Sequence, residues 1–340
     1  MRDAAFFLLV DGITNGFAYA IVALSLVLVF TVTRVVNIAQ GEYVMLGALT
    51  FADLLGGRFP GTLFLLLAGV TCAIVVDGRK ANANRVECLR SIGGWVALSA
   101  ATTAIVYAAL LFRAPAVLMM PVVVVLVGAL GAIVYRFTVR PNPDASTITL
   151  VIVSVGVGMV LQGCGLFLWG PEPQSVAPLV ADGIQIGGVF IQYQSLVIVV
   201  ASTMCMIGLY AFSRLTLFGK ALQAAAMNRR GAQFCGIPVE RVGAFSFALA
   251  ASFSALGGML LAPLISAQYE MGFMIGLKGF VGAAMGGLVD YPLALLGVLT
   301  VGGLESVSAY SASAFRDPIV FGLLIPILLW RNARTATRRH

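Results

Sequence analysis

The side chains able to do chemistry in this chain are few, and they interrupt long apolar runs. Asn37, Gln40 and Glu42 break two such runs near the start, while Glu270, Lys278, Asp290, Glu305, Arg316 and Asp317 lie within or beside the last ones. An ionisable group at membrane depth costs several kcal/mol unless it is paired or wet, so each is a candidate for a solute pathway or a buried ion pair. Glu305, flanked by Gly302, Gly303, Leu304 and Val307, sits furthest inside an apolar run. Pairing with Arg316 or Lys278 accounts for it as well as substrate contact does. Asn37 can cap the helix that follows, Gly41 permits a tight turn, and Glu42 near a helix N-terminus is favoured by the helix dipole. The segment reads either as an interhelical turn at the cytoplasmic boundary or as a polar gate. Asn37, Gln40, Glu42 and Glu305 are the pathway or gate candidates.

Other chemistry is poorly provided for. The five cysteines have no CxxC spacing and the single histidine is the terminal His340, so no metal site is expected. No lysine is followed by Ser or Thr, which removes the Gly-Lys-Ser/Thr phosphate loop. No loop carries a His/Asp or Ser/His constellation. The expectation is a chain with no catalytic residue and no cofactor of its own; any nucleotide hydrolysis falls to a partner.

The elements that must position these groups are membrane helices. At 60% hydrophobic and 10% charged, with mean hydropathy +1.00, the 340 residues depart far from the roughly 25% charge of soluble domains. A hydrocarbon core of about 30 Å needs about 20 apolar residues of helix. Such runs recur near 12–33, 43–56, 62–76, 92–112, 115–136, 147–169, 193–213, 242–263, 277–289, 291–312 and 317–331. Strand alternation over about 10 residues is missing. The fold class is an all-α, polytopic transmembrane helical bundle of 10–11 segments. Run 277–289 is too short for a straight crossing and is expected to be broken or re-entrant, shielded by its neighbours. Residues 4–10 are an interfacial helix or part of the first span, and no cleavage site follows that run. Gly12/Gly16 and Gly282/Gly286 have the spacing that lets membrane helices approach closely.

Alternating the segments sorts the 21 Lys and Arg residues sixteen to five. The positive-inside rule then places the N-terminus outside and the C-terminus in the cytoplasm. The net charge of +7 calls for no nucleic acid, and the basic tail 331–340 suits an anionic lipid leaflet.

Two loops stand out. Residues 214–241 form a basic cytoplasmic island, in which 218–227 reads as a short helix carrying Ala221, Ala224, Ala225 and Ala226. Asn228 can cap a second helix through Phe234, stopped at Gly236 with Pro238 following. Two short helices make a rigid knob able to fit a groove on a soluble protein; an ordered basic loop without a partner is the plainer alternative. Outside, 169–192 has no Lys or Arg, three prolines, Glu172 and Asp182, and reads as a docking surface or a connector.

In this order the pieces resemble the permease subunits of branched-chain amino acid ABC importers. Gly12 to Ala20 is similar to that family's first span, and Asn37-Ile38-Ala39-Gln40-Gly41-Glu42 to its Asn-Phe-Ala-His-Gly-Glu turn, with Gln40 where His is usual. Tyr135-Arg136 to Arg140-Pro141 resembles its Tyr-Arg turn. Residues 220–242 resemble its coupling loop, with Ala226, Asn228, Gly236, Ile237 and Arg241 matching and Gly231 where Ala is common. Residues 283–288, Glu305 and Arg316-Asp317 resemble its late helices. The likeness covers about 1–56 and 113–335. It departs at 57–112, which reads as an extra helical hairpin within one permease domain, 1–340.

The resemblance implies a non-catalytic inner-membrane subunit forming half of a pathway for branched-chain amino acids or related solutes. It also implies two cytosolic ATPases that bind ATP and Mg, a second permease making a homo- or heterodimer, and an external solute-binding protein. Coupling would run through Lys220, Ala224, Ala225, Ala226, Asn228, Arg229, Gly231, Gly236, Ile237 and Arg241. A sugar or nucleoside permease of the same superfamily fits the 37–42 turn less well. A self-sufficient secondary transporter should carry buried ionisable pairs in corresponding halves, whereas the charges here lie late in the chain.

Overall fold

The computed structural model describes residues 2–79, 85–141, 145–180, 182–186, 189–322 and 326. Long apolar runs become long helices: α1 (Arg2–Thr33), α4 (Arg85–Leu111), α5 (Ala116–Thr138), α6 (Thr147–Trp169), α7 (Tyr193–Leu215), α10 (Val239–Ile265) and α12 (Tyr291–Ser311). These seven are long and apolar enough to cross a membrane. Between them lie α2 (Glu42–Leu55), α3 (Gly61–Arg79), α8 (Leu217–Met227), α9 (Arg229–Phe234) and α11 (Met271–Met285), with α13 (Arg316–Gly322) last. Residues 4–10 continue α1 without a break. The expected final run, 317–331, lies mostly outside the described residues. Among the described residues, strand is confined to a hairpin in the loop after α6, where β1 (Gly183–Ile186) pairs antiparallel with β2 (Val189–Gln192). An isolated bridge joins Gln174 in that loop to Ala267 beyond α10.

The centre is α2. Glu42 through Leu54 are all buried, as a helix apolar on every side must be. It packs against α10, α5, α11 and α6, and α1 lies along α12, α10 and α11 outside it. At about 1.5 Å per residue, its 14 residues span roughly 21 Å, too little to cross alone. Residues 34–37 and a 3₁₀ turn over Ile38–Gly41 lead into it from α1. A second short helix is α11, which begins at the late polar break and ends on a turn with Gly287 and Leu288 at φ 74° and 60°. The sequence pointed to a short segment at 277–289; α11 ends within it, and α11 packs against α2 and the 3₁₀ turn before it.

Glycine makes that contact possible. A Cβ on Gly41 would lie 2.9 Å from Gly276 Cα and overlap the Gly272 carbonyl. Gly41 itself is helical, at φ −63°, so close approach and not a tight turn accounts for it. The Gly12/Gly16 pair meets Gly303 and Leu299 of α12, and Gly282/Gly286 meets Val298 and Ala294 of the same helix. A Cβ on Gly258 would overlap the Val44 carbonyl, whereas one on Gly163 of α6 meets nothing within 4 Å.

The hairpin α3–α4 packs on α5 and is fastened by its ends. Arg136 pairs with Asp77 while its guanidinium sits 5.3 Å from the Trp95 ring centroid. At the other end, Asp53 accepts from Trp169 Nε1 at 2.6 Å and from Gly61 N at 3.1 Å.

Gly258→Ala should lower the detergent unfolding temperature, an overpacking cost of about 1–3 kcal/mol. Gly163→Ala should be neutral or stabilising by up to about 1 kcal/mol. Equal melting of the two variants would contradict the α2–α10 approach.

Candidate functional site

Three groups of polar residues are set by this packing. The first is the break at 37–42. The sequence placed it at the cytoplasmic boundary, and its partners are serines within α6 and α10. Ile38 N donates to Ser154 Oγ at 3.2 Å, and Gln40 Nε2 donates to Ser254 Oγ at 2.9 Å. Asn37 caps nothing through its side chain; its Nδ2 donates to Gln40 Oε1 at 3.2 Å. Ser25 Oγ spends its one proton on the Val22 carbonyl, so the 2.8 Å contact between Ser254 and Ser25 has Ser254 donating. The chain of bonds therefore runs Asn37, Gln40, Ser254, Ser25 and Val22, crossing from the break through α10 to α1. Glu42 opens α2 as expected, with Oε2 buried and without a hydrogen-bond partner. Sequence reading passed over Ser25, Ser154 and Ser254, because an isolated serine in an apolar run is unremarkable until its partner is known.

The second group is late. Lys278 Nζ lies 2.7 Å from Glu305 Oε1 and 3.1 Å from Asp317 Oδ1, and Arg316 also pairs with Glu305. Glu305 has no solvent exposure, and Lys278 is nearly enclosed beside the Tyr19 ring, 5.7 Å away. Two cations and two carboxylates balance within one cluster, so both pairings anticipated for Glu305 exist together.

The third is the knob. Thr216 Oγ1 accepts from Gly219 N at 2.9 Å to start α8, and Asn228 Oδ1 accepts from Gly231 N at 2.9 Å to start α9. Gly236, at φ 79°, then turns the chain into Pro238 and α10, as its sequence suggested. Leu222, Ala225, Ala232 and Val239 join Leu24, Leu28 and Val242 in one buried cluster that seats the knob on the bundle. Ala225 thus faces inward, and Ala224, Ala226, Arg229, Gly231 and Ile237 are half-buried. Lys220, Asn228, Gly236 and Arg241 are exposed. The most outward apolar groups are residues the sequence did not single out: Phe234 is 92% exposed, Leu217 86% and Met227 84%. Each sits at an end of its helix, Leu217 first in α8 and Met227 and Phe234 last in α8 and α9, where a large exposed apolar side chain is the signal that could have found it. A cavity of about 220 Å³ separates the knob from the end of α1, with Arg34, Tyr135, Ala226 and Arg229 on its walls.

The chain matches the family described as branched-chain amino acid transport system / permease component over residues 8–77 and 91–329. It is 24% identical to the high-affinity branched-chain amino acid transport system permease protein BraD of Pseudomonas aeruginosa, across 95% of this chain and 92% of that one. Its likeness to LivH of Escherichia coli K12, a permease protein of the same description, is 25% across 94% and 91%. A probable branched-chain amino acid transport permease protein LivH of Methanocaldococcus jannaschii is 28% identical across 62% and 70%. No solved structure matches. The chain belongs to this permease family and is a multi-pass membrane protein.

Glu305→Ala should destabilise the bundle by about 3–5 kcal/mol, because it leaves the buried Lys278 and the partly exposed Arg316 without their shared carboxylate. Lys278→Met combined with Glu305→Met should cost less than Glu305→Ala alone in the same denaturation assay. A double variant that is worse than the single would contradict the cluster's charge balance.

Proposed function

We propose that this chain is one membrane half of a binding-protein-dependent importer for branched-chain amino acids or chemically related solutes. Two cytosolic ATPases dock on the knob formed by α8 and α9, a second permease completes the pathway, and an external solute-binding protein delivers substrate near the 169–192 loop. ATP and Mg are bound by the ATPases; this chain is a non-catalytic subunit of the inner membrane, acting as a single permease domain with 57–112 as an added hairpin. The family supports ATPase and binding-protein partners in general.

One observation carries the coupling role: a capped, rigidly seated pair of short helices presenting Met227 and Phe234 amid Lys220, Arg230 and Arg241. A large apolar anchor ringed by charge is the form of a protein-binding hot spot. The knob also borders Arg34, at φ 56°, the residue from which the 34–42 break departs. Movement of the knob by nucleotide-driven closure would press on that turn and shift the break and α11 between two packings. The ATPases must bind the two states with different affinity for this to drive transport. Of the coupling candidates, Lys220, Asn228, Gly236 and Arg241 are placed to touch the ATPase, while Ala224, Ala225, Ala226, Arg229, Gly231 and Ile237 seat and shape the knob. Asn37 and Gln40 hold the break together, while Glu42 stands unpartnered at the start of α2 and Glu305 anchors the late cluster.

In vesicles carrying all subunits, Phe234→Asp should abolish copurification with the ATPases and ATP-dependent leucine uptake, while the permease pair still assembles. Retained uptake would end the coupling role. The orientation has its own check. Cys235 is exposed on the knob. In a variant keeping only that cysteine, membrane-impermeant maleimide should label inverted vesicles and spare right-side-out cells. The opposite pattern would reverse the topology.

A further inference from the structure

At the end of the bundle where α1 begins and α12 stops, a cavity of about 380 Å³ opens between these helices, strand β2 and the end of α10. That volume falls at the small end of the roughly 300–1,000 Å³ range of small-molecule sites. Its walls divide by chemistry. Asp11 and Arg316 stand on them with Glu305, while Phe7, Val10 and Leu264 supply apolar surface.

The charges are arranged for a particular ligand. Lys278, Glu305, Arg316 and Asp317 neutralise one another in the cluster described above. Asp11 stands outside that balance: among the described residues its contact is a neutral one, accepting from Asn15 Nδ2 at 3.2 Å. Arg316 is half exposed, and it retains hydrogen-bonding capacity because Nε is buried without a partner. Glu305 Oε2 is likewise buried without a partner. A carboxylate for a cation, a guanidinium for an anion, and an apolar wall thus share one small cavity.

We propose that this cavity is a binding site for a free aliphatic α-amino acid, with Asp11 receiving the ammonium group, Arg316 the carboxylate, and Phe7, Val10 and Leu264 the side chain. The assignment rests on the reading of the chain as an amino acid permease half, under which this is the outer end, where solute enters. Arg316 offers a planar fork that matches a carboxylate, and such charge-assisted bonds are about twice as strong as neutral ones. Ligand binding would draw Arg316 toward the carboxylate and loosen its hold on Glu305, linking occupancy to the buried cluster.

The test uses the complete permease–ATPase complex in nanodiscs, without the solute-binding protein, and radiolabelled L-leucine in equilibrium dialysis. Competition is measured with L-leucine amide, which lacks the carboxylate, and 4-methylpentanoate, which lacks the ammonium. Saturable leucine binding is expected, with both analogues about tenfold weaker or worse, the loss of one charged contact. Asp11→Asn should weaken leucine about tenfold and leave 4-methylpentanoate unchanged; Arg316→Gln should weaken leucine and leave the amide unchanged. Arg316→Lys, which keeps a cation beside Glu305, should fold and still bind leucine more weakly than the parent. Absence of saturable binding, or leucine affinity unaltered in Asp11→Asn and Arg316→Lys, overturns the site. Uptake by the parent complex with its binding protein separates the two readings. Leucine uptake alongside unaltered variants sinks this site and spares the permease assignment; absence of any aliphatic amino acid uptake sinks the assignment itself.

Discussion

The bond from Gln40 to Ser254 is the interaction on which the centre of the molecule depends. A chain that breaks its helix inside a membrane exposes backbone groups that lipid cannot satisfy. Here the break is surrounded by helices, and the amide of Gln40 serves it in both directions, accepting from Asn37 and donating to α10. A side chain with one donor face and one acceptor face suits that position. Ser154 on α6 takes the Ile38 amide, so the neighbours complete what the local chain cannot.

Glycine sets how closely those neighbours stand. Gly41, Gly272 and Gly276 let the two short segments meet backbone to backbone, and Gly258 lets α10 lie against α2. Surfaces this close, without long side chains between them, have few intermediate arrangements, so a push at one end is resolved by repacking. The cavity between knob and Arg34 is where such a push would be received.

The late charges follow a different economy. Lys278 and Glu305 are buried and would be costly alone, yet they close on the half-exposed Arg316 and Asp317. Such clusters add little net stability, because desolvation offsets attraction. Their consequence is specificity: one cation added or one carboxylate removed upsets the whole group. A cluster of this kind at a cavity wall responds to charged ligands, and a purely apolar wall would not.

Much of this could be read from the residues. Apolar run lengths dictate the helices, because lipid leaves the backbone no other way to satisfy itself. The knob was legible because capping is local: Thr216, Asn228 and Gly236 mark their own boundaries within a few positions. The pairing of Glu305 was legible as a need for a cation, since an unpaired carboxylate at that depth is too costly. What the sequence could not say is which groups meet across helices. The packing of the 37–42 break on α2, α6 and α10, the serine partners at positions 25, 154 and 254, and the gathering of Asp11 with Arg316 bring together residues separated by up to some 300 positions of chain. Spacing along a chain carries local geometry only. Tertiary packing alone decides which distant polar groups share a dry interior, and therefore which of them can act together.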